Sequence, residues 1–268
     1  MSSLNPSNLR YLPGLFLLIG LFVFSHLTDT GSNPSTFAAE SAPKDMVLVP
    51  AGTFTMGTDL RLPDEGPKHK VYVPAFFMDK YEVSNKQYLP FVQETNRTPP
   101  IYWMNGVPPG KKINHPVVFV TWYDGNAFCH WKGKRLPTAI EWEKAARGND
   151  ERTYPWGDEF DESKANTPYS QRGDTTPVGS FPTGVSPYGV YDMSGNVWEW
   201  TASWYKAYPG NHKRRLETYG ERYRVLKGGS YVDCSFYHCG ISAPVFNRSF
   251  FKPETRNNSF GFRCAKSK

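Results

Sequence analysis

Two cysteines, Cys234 and Cys239, stand with four residues between them in Gly228-Gly229-Ser230-Tyr231-Val232-Asp233-Cys234-Ser235-Phe236-Tyr237-His238-Cys239. A second pair, Cys129 and Cys264, is far apart in the chain. A local thiol pair supports three chemistries. It can clamp a soft metal ion, because thiolates are soft ligands. It can cycle between dithiol and disulfide. It can also form a plain structural disulfide. His69, His115, His130, His212 and His238 lack the paired spacing of a metal centre. No glycine-rich phosphate loop follows a strand, and no nucleophile elbow is present.

The compartment decides which thiol chemistry persists. Residues 11–27 read YLPGLFLLIGLFVFSHL, an uncharged apolar run with Arg10 before it. This is a signal or membrane-anchor segment, residues 1–27, and it is short of the ~20 apolar residues of a full span. We read it as an uncleaved anchor, with cleavage after Ala38 or Ala39 as the alternative. Residues 28–44 are small, polar and proline-containing, which marks a linker. The folded domain is then 45–268. Arg10 on the inner side places that domain outside the membrane, on the periplasmic side or in a secretory compartment, where disulfides persist. The net charge is +6, and residues 1–39 carry one cation and one anion, Arg10 and Asp29, so export leaves it unchanged. The basic cluster Lys213-Arg214-Arg215 reads as a solvated loop, and no basic helix or arm points to nucleic acid.

The elements that must position the thiols are few. Met46 to Gly57 reads as a strand, a turn and a strand, and Lys70 to Met78 as one further strand. Ser84-Asn85-Lys86-Gln87 has capping-box spacing before Tyr88, Phe91 and Val92, with Pro90 expected to bend or shorten the helix. Thr121 to Lys132 reads as a second helix carrying Phe128, Cys129 and Trp131. Thr138-Ala139-Ile140-Glu141 caps a third that ends at Gly148. From Thr153 onward glycine, proline, asparagine and aromatic residues punctuate short apolar runs, the pattern of long loops around short strands. With 23 Gly, 23 Pro and 16% aromatic residues, the class is a loop-rich α+β domain rather than a helical bundle.

Several segments together resemble the formylglycine-generating enzyme, or sulfatase-modifying factor, family. They are Met46–Gly57, His115-Pro116-Val117-Val118, Gly133-Lys134-Arg135-Leu136-Pro137-Thr138-Ala139-Ile140-Glu141-Trp142-Glu143, Tyr154-Pro155-Trp156-Gly157, Gly195-Asn196-Val197-Trp198-Glu199-Trp200, Lys227–Tyr231 and Gly261-Phe262-Arg263-Cys264. The resemblance covers roughly residues 45–266. It implies a single irregular domain related to C-type lectins, with little regular secondary structure and with bound calcium. It also implies an oxidoreductase that uses O2 and copper(I) to convert a cysteine of a client protein, such as a sulfatase-like polypeptide, to formylglycine.

Carried onto this chain, the resemblance makes Cys234 and Cys239 the copper ligands and catalytic pair, with Ser230 as the active-site serine. It makes Cys129 and Cys264 a structural disulfide. It assigns calcium to Glu199 with main-chain carbonyls at Ser194, Gly195 and Val197, and a second calcium to Asn166, Thr167 and Asp174. The alternative for this turn is that Asn196 and Glu199 only hydrogen-bond it, with Trp198 and Trp200 as core anchors. The chain departs from the enzymes at the thiols. Asp233 adds a residue before Cys234, Ser235 replaces a histidine, and Gly240-Ile241-Ser242-Ala243 stands where an Arg-Tyr-Arg stretch is usual. These departures leave a second function open: a non-catalytic, membrane-tethered module that binds or assembles another exported protein.

Overall fold

Each of the three helices starts at a reciprocal side-chain cap, in a computed structural model that describes residues 42–212, 217–232 and 242–268. The apolar N-terminal segment, most of the linker, the Lys213–Arg215 cluster and both Cys234 and Cys239 lie outside the described residues. In α1 (Asn85–Thr95) Ser84 and Gln87 exchange backbone hydrogen bonds. Thr121 and Asp124 do so for α2 (Trp122–Trp131), and Thr138 and Glu141 for α3 (Ala139–Arg147). Such a box satisfies two of the N–H groups that a helix start leaves without partners. Pro90 does not shorten α1, which runs on to Thr95. Its ring faces solvent while Tyr88, Phe91 and Val92 on the inner face bury against the core, and that burial outweighs the lost hydrogen bond.

The strands form three small sheets. β1 (Met46–Val49) pairs with β4 (Phe76–Asp79), and β4 with β9 (Ala265–Ser267), both antiparallel. β2 (Gly52–Met56) pairs with β3 (His69–Val73). The segment expected as one strand, Lys70 to Met78, is therefore two strands in two sheets. Pro74 stands between them, lacks an N–H for a ladder, and lets the chain change partner. A four-stranded sheet has the order β7-β6-β5-β8. Its members are β5 (Trp198–Trp204), β6 (Arg224–Lys227), β7 (Ser249–Phe251) and β8 (Phe260–Gly261), with β5 and β8 parallel.

Two large apolar clusters, and a smaller one around Ala139, Tyr205 and Val225, fill the described part of the α+β domain. One joins Tyr88, Phe91, Phe128, Trp200 and Phe262 and includes Cys129 and Cys264. The other joins Phe54, Phe76, Trp142, Met193 and Val245. Trp200 is fully buried and Trp198 nearly so, which makes both core anchors. Cys129 and Cys264 form a disulfide that ties α2 to the residue before β9. Among the described residues no helix is long and apolar enough to cross a membrane.

Candidate functional site

Strand β6 delivers the candidate site. Its last residue, Lys227, pairs with Glu143 of α3 at 2.9 Å, with neither side chain exposed. Beyond it Gly228 and Gly229 take φ values of +96° and +73°, where L side chains are strained. There is also no room for a side chain. A Cβ on Gly228 would meet the Trp142 ring at 3.1 Å, and one on Gly229 would lie 2.7 Å from the Ser242 carbonyl oxygen. Ser230 is buried, and its hydroxyl accepts from the N–H of Val232 and donates to the Val232 carbonyl, both at 3.2 Å. The two glycines and this local loop fix the approach to Asp233. Cys234 and Cys239 follow, outside the described residues.

A second turn packs against that approach. Asp192, Gly195 and Asn196 all have positive φ, so the chain doubles back before β5. Gly195 N–H donates to Gly228 O at 2.7 Å, and Tyr231 N–H donates to Asn196 O at 3.1 Å. The Ser194 hydroxyl donates to Ala243 O at 2.6 Å. Asn196 is a hub. Its N–H donates to Asn166 O at 2.7 Å, its Oδ1 accepts from Asn166 Nδ2 and from the Thr176 N–H, and its Nδ2 donates to Glu82 at 2.6 Å.

Under the turn lies a buried charge cluster. Glu199 receives Arg263 on both oxygens at 2.7 Å and the Trp142 indole N–H at 2.8 Å. Glu82 is fully buried nearby. Burial pushes its carboxyl well above the usual range, and the charges of Asp192 and Glu199 push in the same direction. Burial likewise pushes Asp192 up to about 6 against the Gly179 N–H that it accepts. Asp192 Oδ1 is buried without a partner.

The residues expected to hold calcium are brought together in part. Ser194, Gly195, Val197 and Glu199 share the turn, and Asn166 joins it through Asn196. A calcium ion there would have to share the Glu199 carboxylate with a guanidinium. In the second set, the Asn166 amide donates to Asp174 O at 2.9 Å and the Thr167 carbonyl accepts from Ser170, while the Thr167 hydroxyl is buried without a partner. The Asp174 carboxylate turns away to Lys112. Among the described residues no group of three or more His, Cys, Asp or Glu side chains converges as a metal cage.

Sequence reasoning passed over one cavity. It has a volume of about 310 Å³ and is lined by Asn85, Tyr102, Lys112, Phe119, Asp174 and Tyr231, among others. Asn85 is its buried support, accepting from Tyr102 OH at 2.5 Å and Trp103 Nε1 at 3.0 Å. Burial raises the Asp174 carboxyl, but the bond and charge of Lys112 with the Thr175 N–H outweigh it, so Asp174 sits below the usual carboxylate range. Burial and the Lys112 charge lower His115. Phe119 has a φ of +57°, a rare conformation for a bulky residue. The lining is drawn from stretches scattered between Asn85 and Asn258, so no local spacing announces the cavity.

The family described as sulfatase-modifying factor enzyme 1-like domain matches residues 32–268. The inactive C-alpha-formylglycine-generating enzyme 2 of Mus musculus is 35% identical, over 83% of this chain and 85% of the relative. The formylglycine-generating enzyme of Thermomonospora curvata is 34% identical, over 83% of this chain and 93% of the relative. Among solved structures, PvdO from Pseudomonas aeruginosa superposes with a TM-score of 0.68 at 28% identity, over 84% of this chain and 96% of that one.

Proposed function

The chain belongs to the formylglycine-generating, sulfatase-modifying factor family, and on that premise we propose that it is an exported, membrane-tethered oxidase of formylglycine-generating type. Its client is a sulfatase-like polypeptide with an accessible cysteine, whose β-carbon gives up two electrons in passing from the thiol to the aldehyde level while the sulfur leaves as hydrogen sulfide. O2 is the oxidant: one of its atoms becomes the aldehyde oxygen and the other water, the two further electrons coming from two equivalents of an external small thiol that end as its disulfide. Copper(I), held by Cys234 and Cys239, would supply a soft site at which a client thiolate can bind beside the oxidant. The observation that carries this reading is the fastening of both margins of the cysteine segment, Gly228–Tyr231 and Ser242–Ala243, to the single turn at Ser194–Asn196. A thiol pair whose two approaches are held this way suits a defined site better than a free loop does.

The chain's own residues prepare the place. Lys227 and Glu143 anchor the end of β6, and the Ser230 hydroxyl closes on Val232, just before Asp233. Calcium at the 194–199 turn, and at Asn166–Asp174, belongs to the same reading as a structural ion. Its test is the melting temperature in calcium against that in a chelator, with a lower value expected in the chelator.

The reading is tested by titrating purified protein with copper(I). One equivalent bound by wild type and none by Cys234→Ala or Cys239→Ala is the expected result. Incubation with copper, O2, a small-thiol reductant and a Cys-x-Pro-x-Arg peptide should convert the peptide thiol to an aldehyde. A second reading, a non-catalytic binding module, draws on Ser235 and Gly240–Ala243, which replace the usual histidine and arginines, and on the mouse relative described as inactive. A Cys234–Cys239 disulfide that resists mild reductant, with no copper bound, would favour it.

A further inference from the structure

Three apolar side chains stand in water on an ordered support. Ile101 is 82% exposed, Met104 74% and Val107 47%. Met104 and Val107 exchange N–H···O bonds at 3.0 and 3.1 Å. They close a two-residue turn in which Asn105 and Gly106 both have positive φ, +52° and +76°. That is a favoured geometry for a tight hairpin, and it puts the Met104 and Val107 side chains on one face. The residues between hold the hairpin from inside. Trp103 is buried and its indole N–H donates to Asn85 Oδ1 at 3.0 Å, while the Tyr102 hydroxyl donates to the same oxygen at 2.5 Å. With its base fixed in this way, the hairpin cannot fold back to cover its own apolar tip.

The charge around the hairpin has one sign. Residues 95–123 contain no Asp or Glu, and they carry Arg97, Lys111 and Lys112. Arg97 is taken by Asp124 and Lys112 by Asp174. Lys111 and Lys86 are exposed, with no ion-pair partner among the described residues. Both belong to the seat of the hairpin, because Asn85 Nδ2 donates to Lys112 O at 2.9 Å and Lys86 N–H to Ile113 O at 2.8 Å. We propose that the hairpin 101–107 is a docking site for an anionic lipid surface. Ile101, Met104 and Val107 enter the headgroup layer, and Lys86 and Lys111 meet lipid phosphates. A protein groove would have to supply an apolar floor and a carboxylate for each lysine at fixed places, whereas an anionic leaflet offers both at every point. The proposal deepens the reading of the chain as exported and membrane-tethered, and it rests on that reading for the presence of a bilayer. Residues 28–44, as a flexible linker of about 20–25 Å reach, would keep that bilayer within range of the domain and raise its effective concentration.

The test uses residues 41–268, a compact unit that contains both large apolar clusters and the disulfide, so that any binding belongs to the domain and not to the apolar N-terminus. The domain is sedimented with vesicles of phosphatidylcholine alone and with vesicles that also contain phosphatidylglycerol. Binding to the anionic vesicles only is expected, and it should weaken as salt is raised. Ile101→Ser with Met104→Ser should lower the partition coefficient about tenfold. Lys86→Gln and Lys111→Gln should each lower it about fivefold. All four side chains are exposed, so the melting temperature should not move. Leu60→Ser is the control, because Leu60 is 94% exposed in a different loop, and it should leave the partition unchanged. No binding to either vesicle, equal binding to both, undiminished binding in the Ile101 and Met104 double variant, or an equal loss in Leu60→Ser overturns the proposal. So does a dimer in sedimentation equilibrium that the same double variant dissolves, since the face would then belong to a second copy. Full-length chain is washed from vesicles with alkaline carbonate as a separate assay. Its release overturns the tether and leaves the domain's own binding standing.

Discussion

Lys227 Nζ lies 2.9 Å from Glu143 Oε2, with both side chains wholly out of solvent, and the next residue is Gly228 at the mouth of the cysteine segment. Burial lowers the Lys227 pKa, and the Glu143 charge pulls it back up. The other Glu143 oxygen accepts the Gly57 N–H at 2.7 Å. One carboxylate thus joins α3, the end of β2 and the end of β6.

Removing Lys227 leaves the buried Glu143 carboxylate, among the described residues, with only the longer Arg147 contact at 3.5 Å as a charge partner. Lys227→Met should cost about 3–5 kcal/mol of unfolding free energy, read from denaturant titration. Adding Glu143→Gln should recover part of the loss, since the amide still accepts from Gly57 without carrying a charge.

Glycine at 229 answers two demands, and a pair of variants separates them. Gly133 has φ +66° with open space around its missing Cβ, whereas Gly229 has φ +73° with Ser242 at 2.7 Å. Gly133→Ala should cost about 1–2 kcal/mol from backbone strain alone. Gly229→Ala should cost more and alter the reactivity of Cys234 and Cys239 to alkylation. Equal costs would show that the contact with Ser242 is absent in solution.

The disulfide spans 135 residues. In the chain-entropy model a bridge closing such a loop contributes ~5 kcal/mol. Replacing Cys129 and Cys264 together by alanine should lower stability by up to that amount, measured by calorimetry without reductant. A loss under ~1 kcal/mol would mean that the reduced unfolded chain is already restricted.

Glu141 gives a pH-dependent test. Burial pushes its carboxyl up, but the bidentate Arg135 and the Thr138 N–H outweigh this and hold it below its ordinary value of 4.5. The folded state therefore releases this proton more readily than the unfolded chain. The stabilisation is complete above the unfolded pKa and is lost as pH falls through the folded one. Glu141→Gln should cost about 1 kcal/mol at pH 7, as a cap and a partly exposed pair together. The gap to wild type should narrow steadily below about pH 4.

The capped helices were legible because a cap is local: Thr138 and Glu141 sit three residues apart and need no distant partner. Strand partners were not. Lys70 to Met78 reads as one apolar stretch, and its division between two sheets depends on Gly52–Met56 and Met46–Val49, which no spacing within the stretch reveals. The candidate site divides in the same way. Gly228–Tyr231 and the thiols stand out by residue type. Asn196, by contrast, works through Glu82, Asn166, Thr176 and Tyr231, which are scattered over the chain and meet only after folding. The pairing of Cys129 with Cys264 came from family resemblance, since two distant cysteines carry no mark of each other.

The sheet β1-β4-β9 sets a timetable. Phe76–Met78 pair with Ala265–Ser267, and Arg135 forms a bridge to Ala265, so β4, although β1 covers its other edge, lacks one neighbour until residues 265–267 have arrived. Pairings so distant along the chain are slow to form, because the loop must close before its contacts reward it. A chain threaded across a membrane from its N-terminus would have β4 unpaired on one edge for almost the whole passage. In such a passage that edge would have to be held apart from other chains until residues 265–267 emerge.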